Sequence, residues 1–330
     1  MLETAPPLPL DGDTRKLPHM PRPRSIPDNH PAFADLPIIH VSVAGGVRAA
    51  VHVRGELSSQ SLPIVCIPGY QRNMSDFTAF ADDFGRLGNA APVVLLDLPG
   101  RGRADNREHA EDYSSLVDAR DVAAVLAALG IERAVILGQG QGGQVAMALA
   151  TAHPLLVAGT ILLDSGPVTD SRGIVRLRSN LEHIEALRGA KSVAAGFRRV
   201  LGGDYPGLPV EQLDKLIGRS HYLDKRGRAQ PLYDKRLMDA LADINFDDVL
   251  TAQWPLFDAL GCASLMLLRT QLTDQLRRET FDEMVRRRPD AVALTISGQG
   301  SPALFDQREE IEAVAKFVAK IGAILKTRAA

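Results

Sequence analysis

The chain has 330 residues, 45% of them hydrophobic and 24% charged, which is ordinary globular composition with enough apolar material for a large core. Its 38 basic and 40 acidic residues leave a net charge of -2, so no nucleic acid partner is expected. No run approaches the roughly 20 apolar residues of a membrane helix, and the amino terminus lacks the apolar stretch of a secretory signal. No membrane association is expected, and a cytoplasmic location is.

Residues 1–37 carry prolines at 6, 7, 9, 18, 21, 23, 27, 31 and 37, with Arg15, Lys16, Arg22 and Arg24 between them. Such a segment favours extended conformations and buries little, so it reads as a tail or a strap. From Ile38 the pattern changes. Ile38 to Val43 and Val47 to Val53 alternate around Gly45-Gly46, which predicts a hairpin. The apolar runs Pro63–Ile67, Pro92–Leu96, Ala134–Leu137, Val157–Leu163, Ser264–Leu268 and Ala291–Ile296 read as buried parallel strands. Between them Ser75–Leu87, Ser114–Leu129, Gln141–His153, Arg278–Arg288 and Gln307–Leu325 read as helices. This alternation predicts a doubly wound, mostly parallel α/β sheet with helices on both faces. The two cysteines, Cys66 and Cys262, sit in apolar runs and read as buried free thiols.

One stretch breaks the rhythm. From Pro167 to Leu260 there are several helical patterns and no strong strand, with breakers at Gly202-Gly203, Pro206-Gly207 and Arg226-Gly227. An insertion there covers the carboxyl edge of the sheet, where open α/β sheets bind ligands. The expected organisation is a tail over 1–37, a core over 38–166 and 261–330, and a helical cap over 167–260.

The segment Leu137-Gly138-Gln139-Gly140-Gln141-Gly142-Gly143 leads from a strand through a glycine turn into a helix. Gly138, Gly140 and Gly143 satisfy the G-x-G-x-x-G fingerprint of dinucleotide binding, with Asp164 ending the next strand as a ribose-binding acid would. That fingerprint opens the first βαβ unit, whereas several strands precede it here. The same window is a G-x-S-x-G nucleophile elbow in everything but the serine.

The surrounding motifs resemble the α/β-hydrolase superfamily, and among them cap-bearing bacterial members. Val65-Cys66-Ile67-Pro68-Gly69-Tyr70 resembles the strand and loop that supply half an oxyanion hole, and Asp97-Leu98-Pro99-Gly100-Arg101-Gly102-Arg103-Ala104 the D-x-x-G-x-G-x-S segment. Leu163-Asp164-Ser165-Gly166-Pro167 continues the pattern, and Leu267 to Asp274 resembles the acid-bearing loop. Ile296-Ser297-Gly298-Gln299-Gly300-Ser301-Pro302 resembles the segment that carries the catalytic histidine. Ser220-His221-Tyr222 and Tyr233-Asp234-Lys235-Arg236 extend the likeness into the cap, so that it spans about residues 38–325.

By position, this resemblance makes Gly140 the nucleophile, Ser301 the base and Asp274 the acid. Two members of the triad are thus substituted. Glycine has nothing to attack with, and a serine hydroxyl does not titrate near neutrality. Asp274 is either a vestigial acid or the cap of the helix that follows it. The resemblance leaves the Tyr70 and Gln141 amides as a donor pair for a carbonyl or carboxylate, with Gln139 and His221 beside it. The expected function is therefore a non-catalytic, pseudohydrolase-like binder of a small carbonyl or carboxylate compound, or a regulatory protein. One rival is an active ester, lactone or C–C hydrolase with an unconventional catalytic set. Another is a scaffold with a protein partner or a second copy of itself, and a dinucleotide-dependent oxidoreductase is the remotest. No cofactor and no metal are expected.

Overall fold

The computed structural model describes residues 26–329 apart from residues 28, 60, 89 and 90. A single eight-stranded sheet runs through it in the order β1-β2-β4-β3-β5-β6-β9-β10. β1 (Ile39–Ser42) and β2 (Arg48–Arg54) form the expected hairpin, and β2 also pairs antiparallel with β4 (Val93–Asp97). β3 (Ile64–Ile67), β5 (Ala134–Gln139), β6 (Val157–Leu163), β9 (Ser264–Thr270) and β10 (Val292–Ile296) complete the sheet in parallel.

Period-two alternation sorts the strand side chains into two apolar layers. Val65, Ile67, Ile136, Leu265 and Leu267 pack on one face against α2 (Ser115–Ala128), α3 (Gln141–Ala152) and α9 (Arg278–Arg287). Ile64, Cys66, Val135, Leu137 and Met266 pack on the other against α1 (Thr78–Arg86) and α10 (Arg308–Ala329). Cys66 is the expected buried free thiol, and burial pushes its pKa upward. The side chain of Cys262 lies outside the described residues. This is the doubly wound α/β architecture read from the sequence.

The tail expectation falls mostly outside the described residues, up to residue 25. Its last part packs rather than trails, because Phe33 and Leu36 are buried in the layer that holds α1 and α10.

Between β6 and β9 lie α4 (Ser171–Ala186), α5 (Ala190–Asp204), α6 (Val210–Gly218), α7 (Arg236–Asp239) and α8 (Trp254–Asp258). Ile184, Val193, Phe197 and Ala229 give this insertion a small apolar centre of its own. Two details differ from the sequence reading. A short hairpin, β7 (His221–Leu223) with β8 (Ala229–Pro231), turns at Gly227, which has a φ of 68°. And α8 packs with the α3 layer through Phe257, so the last part of the 167–260 segment belongs by contact to the core. Among the described residues no helix is long and apolar enough to cross a membrane.

Candidate functional site

β5 ends at Gln139 and α3 begins at Gln141, so Gly140 alone turns the chain. Its φ of 50° and ψ of -116° are a conformation that a residue with a side chain adopts only under strain. The Gly140 amide donates to the Leu163 carbonyl at the end of β6 (2.9 Å), which pins the turn to the sheet. Gly142 serves a separate need. A Cβ there would overlap the Ile67 carbonyl oxygen, so only glycine lets α3 start this close to the end of β3. As the first residue of α3, Gln141 has an amide with no intrahelical acceptor.

Tyr70 follows β3 on the neighbouring loop and is held from two sides. Arg101 Nε donates to the Tyr70 carbonyl (2.8 Å) and Arg101 is itself paired with Asp118 at 2.9 Å, both side chains being buried. The Tyr70 hydroxyl donates to the Leu237 carbonyl of α7 (2.8 Å), and burial, its main cause, pushes the phenol pKa up to about 12. It therefore stays a donor across the ordinary pH range.

Ser301, which the sequence reading set at the base position, accepts at Oγ from Gln139 Nε2 (3.0 Å) and donates to the Asp164 carboxylate. Asp164 follows β6 with a φ of 47° and is only 1% exposed. Its two oxygens accept from the Thr270 amide and the Thr270 hydroxyl, each at 2.7 Å. Burial pushes the carboxyl up to about 6, against the hydrogen bonds from Thr270 and Ser301 that favour its charge.

Tyr70, Gln139, Gly140, Gln141, His221, Asp274 and Ser301 all line one cavity of about 240 Å³ that is also lined by residues of α4 and α5. The topology thus brings these seven positions, far apart in the chain, to one cavity. Asp274, however, is bound elsewhere than to Ser301. Its carboxylate pairs with Arg176 Nε of α4 (2.6 Å), and Arg176 also reaches Asp204 at the end of α5 (3.0 Å). The carboxylate that meets Ser301 is that of Asp164, which the sequence reading had weighed only as a ribose acid. A signal was present, since Asp164 ends a strand at the carboxyl edge of the sheet.

Gln275 had no such signal. Its side-chain oxygen occupies the space that a Cβ on Gly140 would need. The dinucleotide reading of the glycine turn falls on the same geometry, because Asp164 is buried and engaged by Thr270 and Ser301. Among the described residues no group of three His, Cys, Asp or Glu side chains is arranged to hold a metal ion.

Strand order, elbow and insertion together define the class. The family model for the alpha/beta hydrolase fold matches residues 63–236, and the chain belongs to that family. It is 26% identical to a 3-hydroxybutyrate-oligomer hydrolase of Cupriavidus necator over 290 residues, 84% of this chain and 94% of that one. It is 27% identical over 187 residues to a 2-hydroxy-6-oxononadienedioate/2-hydroxy-6-oxononatrienedioate hydrolase of Paraburkholderia phymatum, covering 54% of this chain and 64% of the relative. Among solved structures, an alpha/beta hydrolase from Novosphingobium aromaticivorans superposes with a TM-score of 0.74 at 27% identity, over 87% of this chain and 99% of that one.

Proposed function

We propose that this α/β-hydrolase family member holds a small carbonyl or carboxylate compound beneath its helical insertion without cleaving it by serine–histidine chemistry. The observation that carries this reading is Gly140. The backbone there has the conformation that presents a nucleophile, the residue has no side chain, and the Gln275 oxygen fills the space. Ser301 supports it, since its hydroxyl proton goes to Asp164 and one of its lone pairs accepts from Gln139. In a serine protease, loss of nucleophile or base costs on the order of 10⁶-fold in turnover, or roughly 8 kcal/mol of barrier. The amides of Tyr70 and Gln141 remain as donors for a ligand oxygen.

A second reading is favoured by the names of the relatives and by Asp164. A carboxylate whose pKa is about 6, bonded to the residue at the base position, could take the proton of a water molecule as that water adds to a carbonyl carbon. The two readings part in one experiment. The protein is assayed on p-nitrophenyl esters and on 3-hydroxybutyrate oligomers, and treated with a fluorophosphonate probe. The expected result is no labelling and no turnover, with saturable binding of carboxylic acids. Turnover that titrates near pH 6 and is lost in Asp164→Asn would install the second reading. Stoichiometric labelling of any serine would overturn both.

A further inference from the structure

Among the described residues that line the cavity, two buried side-chain atoms have no hydrogen-bond partner, Ser165 Oγ and His221 Nε2, and the second is an imidazole nitrogen. His221 opens β7 in the insertion, is 3% exposed, and lines the same cavity as Gly140 and Gln141. Its ring is packed between Phe197, at 4.8 Å between centroids, and the edge-on ring of Tyr233 at 5.6 Å. Its Nδ1 lies 2.9 Å from Ser220 Oγ, and that hydroxyl lies 3.1 Å from the Ile217 carbonyl. With the Ser220 hydroxyl donating to Ile217, these two contacts select one tautomer. A carbonyl only accepts, so the single Ser220 proton goes to Ile217 and the hydroxyl presents a lone pair to the ring. In that arrangement Nδ1 carries the hydrogen and donates it.

The ring is neutral. Burial, with the charges of Arg72 and Lys235, pushes its pKa down to about 3. In a neutral imidazole protonated on Nδ1, Nε2 is a pure acceptor. It has no hydrogen-bond partner among the described residues. A buried acceptor left unsatisfied costs about 1–3 kcal/mol, so its retention in a cavity wall calls for a donor from outside the chain.

The donor must be uncharged. Arg72 also lines the cavity, and its positive charge, like that of Lys235, opposes an ammonium group at the ring. At the elbow the same cavity offers the opposite chemistry, backbone N–H donors for a carbonyl or carboxylate oxygen. Apolar side chains of the insertion, among them Leu177, Ile184, Phe197 and Leu201, line the cavity too. We infer that His221 Nε2 is the specificity acceptor for a hydroxyl group, so that the ligand is a hydroxylated aliphatic acid or its ester, with its carboxyl end at Gly140 and its hydroxyl at His221. This rests on the binding reading above and narrows it to one substituent.

The test measures binding of hexanoate and of the 3-, 4-, 5- and 6-hydroxyhexanoates by calorimetry. At least one hydroxylated acid is expected to bind about 3- to 10-fold more tightly than hexanoate, the range of one neutral buried hydrogen bond. That ratio is expected to collapse to about one in His221→Phe. It should also fall in Ser220→Ala, which keeps the ring but releases the tautomer, so the proposal does not hang on one variant folding. Equal affinity for hexanoate and all four hydroxy acids would overturn the inference and leave the acyl-binding reading standing. So would a ratio that survives both substitutions. Absence of binding by any of the five acids would overturn the inference and the reading together.

Discussion

The side-chain oxygen of Gln275 stands where the side chain of residue 140 would begin, so the vacancy at the elbow is filled by a neighbour from the loop after β9. Gly140→Ser therefore meets two obstacles. The positive φ costs a non-glycine residue about 1–3 kcal/mol, and Gln275 must move. Gln275 is exposed and unbranched, so it can swing out cheaply, and backbone strain is the larger effect. Gly140→Ser should lower the melting temperature by a few degrees, and Gly140→Ser with Gln275→Ala should recover little of that loss. Thermal unfolding of both variants decides it. A stabilised single variant would remove the strain argument.

On the proposed reading, placing serine at 140 and histidine at 301 should not produce a working triad. In Gly140→Ser with Ser301→His, the new imidazole meets an Asp164 carboxylate already engaged twice by Thr270. Its other neighbour is Gln139, which now donates to Ser301. Fluorophosphonate labelling of the double variant is expected at a trace rate, and none in the native protein. Rapid stoichiometric labelling of the double variant would show that the surroundings still support the triad.

Asp118 neutralises Arg101 inside the protein, and burial nonetheless raises the Asp118 pKa. Asp118→Ala would leave the Arg101 guanidinium buried and uncompensated, with Arg107 as a second cation nearby. A loss of about 3–5 kcal/mol is expected in denaturant unfolding. A loss below about 1 kcal/mol would mean that water or Asp121 takes over the pairing.

Glu310, in the first turn of α10, is 7% exposed with one carboxylate oxygen unpartnered among the described residues. Burial first, then the charges of Asp306 and Glu309, push its pKa from 4.5 to about 7. A raised carboxyl favours the folded state while protonated. This contribution is complete below about pH 4.5 and is lost as pH rises through 7. Glu310→Gln should accordingly stabilise the protein by on the order of 1–3 kcal/mol at pH 8, with the gain fading towards pH 4.5. Melting curves of both proteins across that range are the check, and a gain independent of pH would refute the assignment.

How much of this was legible depended on whether the signal was local. The elbow was, because a strand, a glycine turn and a helix follow one another in the chain around Gly140. The alternation of apolar and amphipathic runs likewise gave the sheet and its two helical faces. The β7–β8 hairpin was missed because its strands have three residues each, too few to show alternation. Asp274 lines the cavity, but its partner, Arg176, lies on a helix of the insertion whose approach no spacing encodes. Asp164 was noticed for the wrong chemistry, since its bonds to Thr270 and Ser301 are made only once β6, β9 and the loop after β10 lie side by side.

Tyr70 is fastened by its carbonyl to Arg101 in the core and by its hydroxyl to α7 in the insertion. A guest that enters by lifting α7 must break the second tie, while the first still holds the Tyr70 peptide on Arg101. The phenol is thus a latch on the insertion that can open without moving the loop beneath it. Tyr70→Phe should release that latch, letting the insertion breathe while the loop stays seated on Arg101.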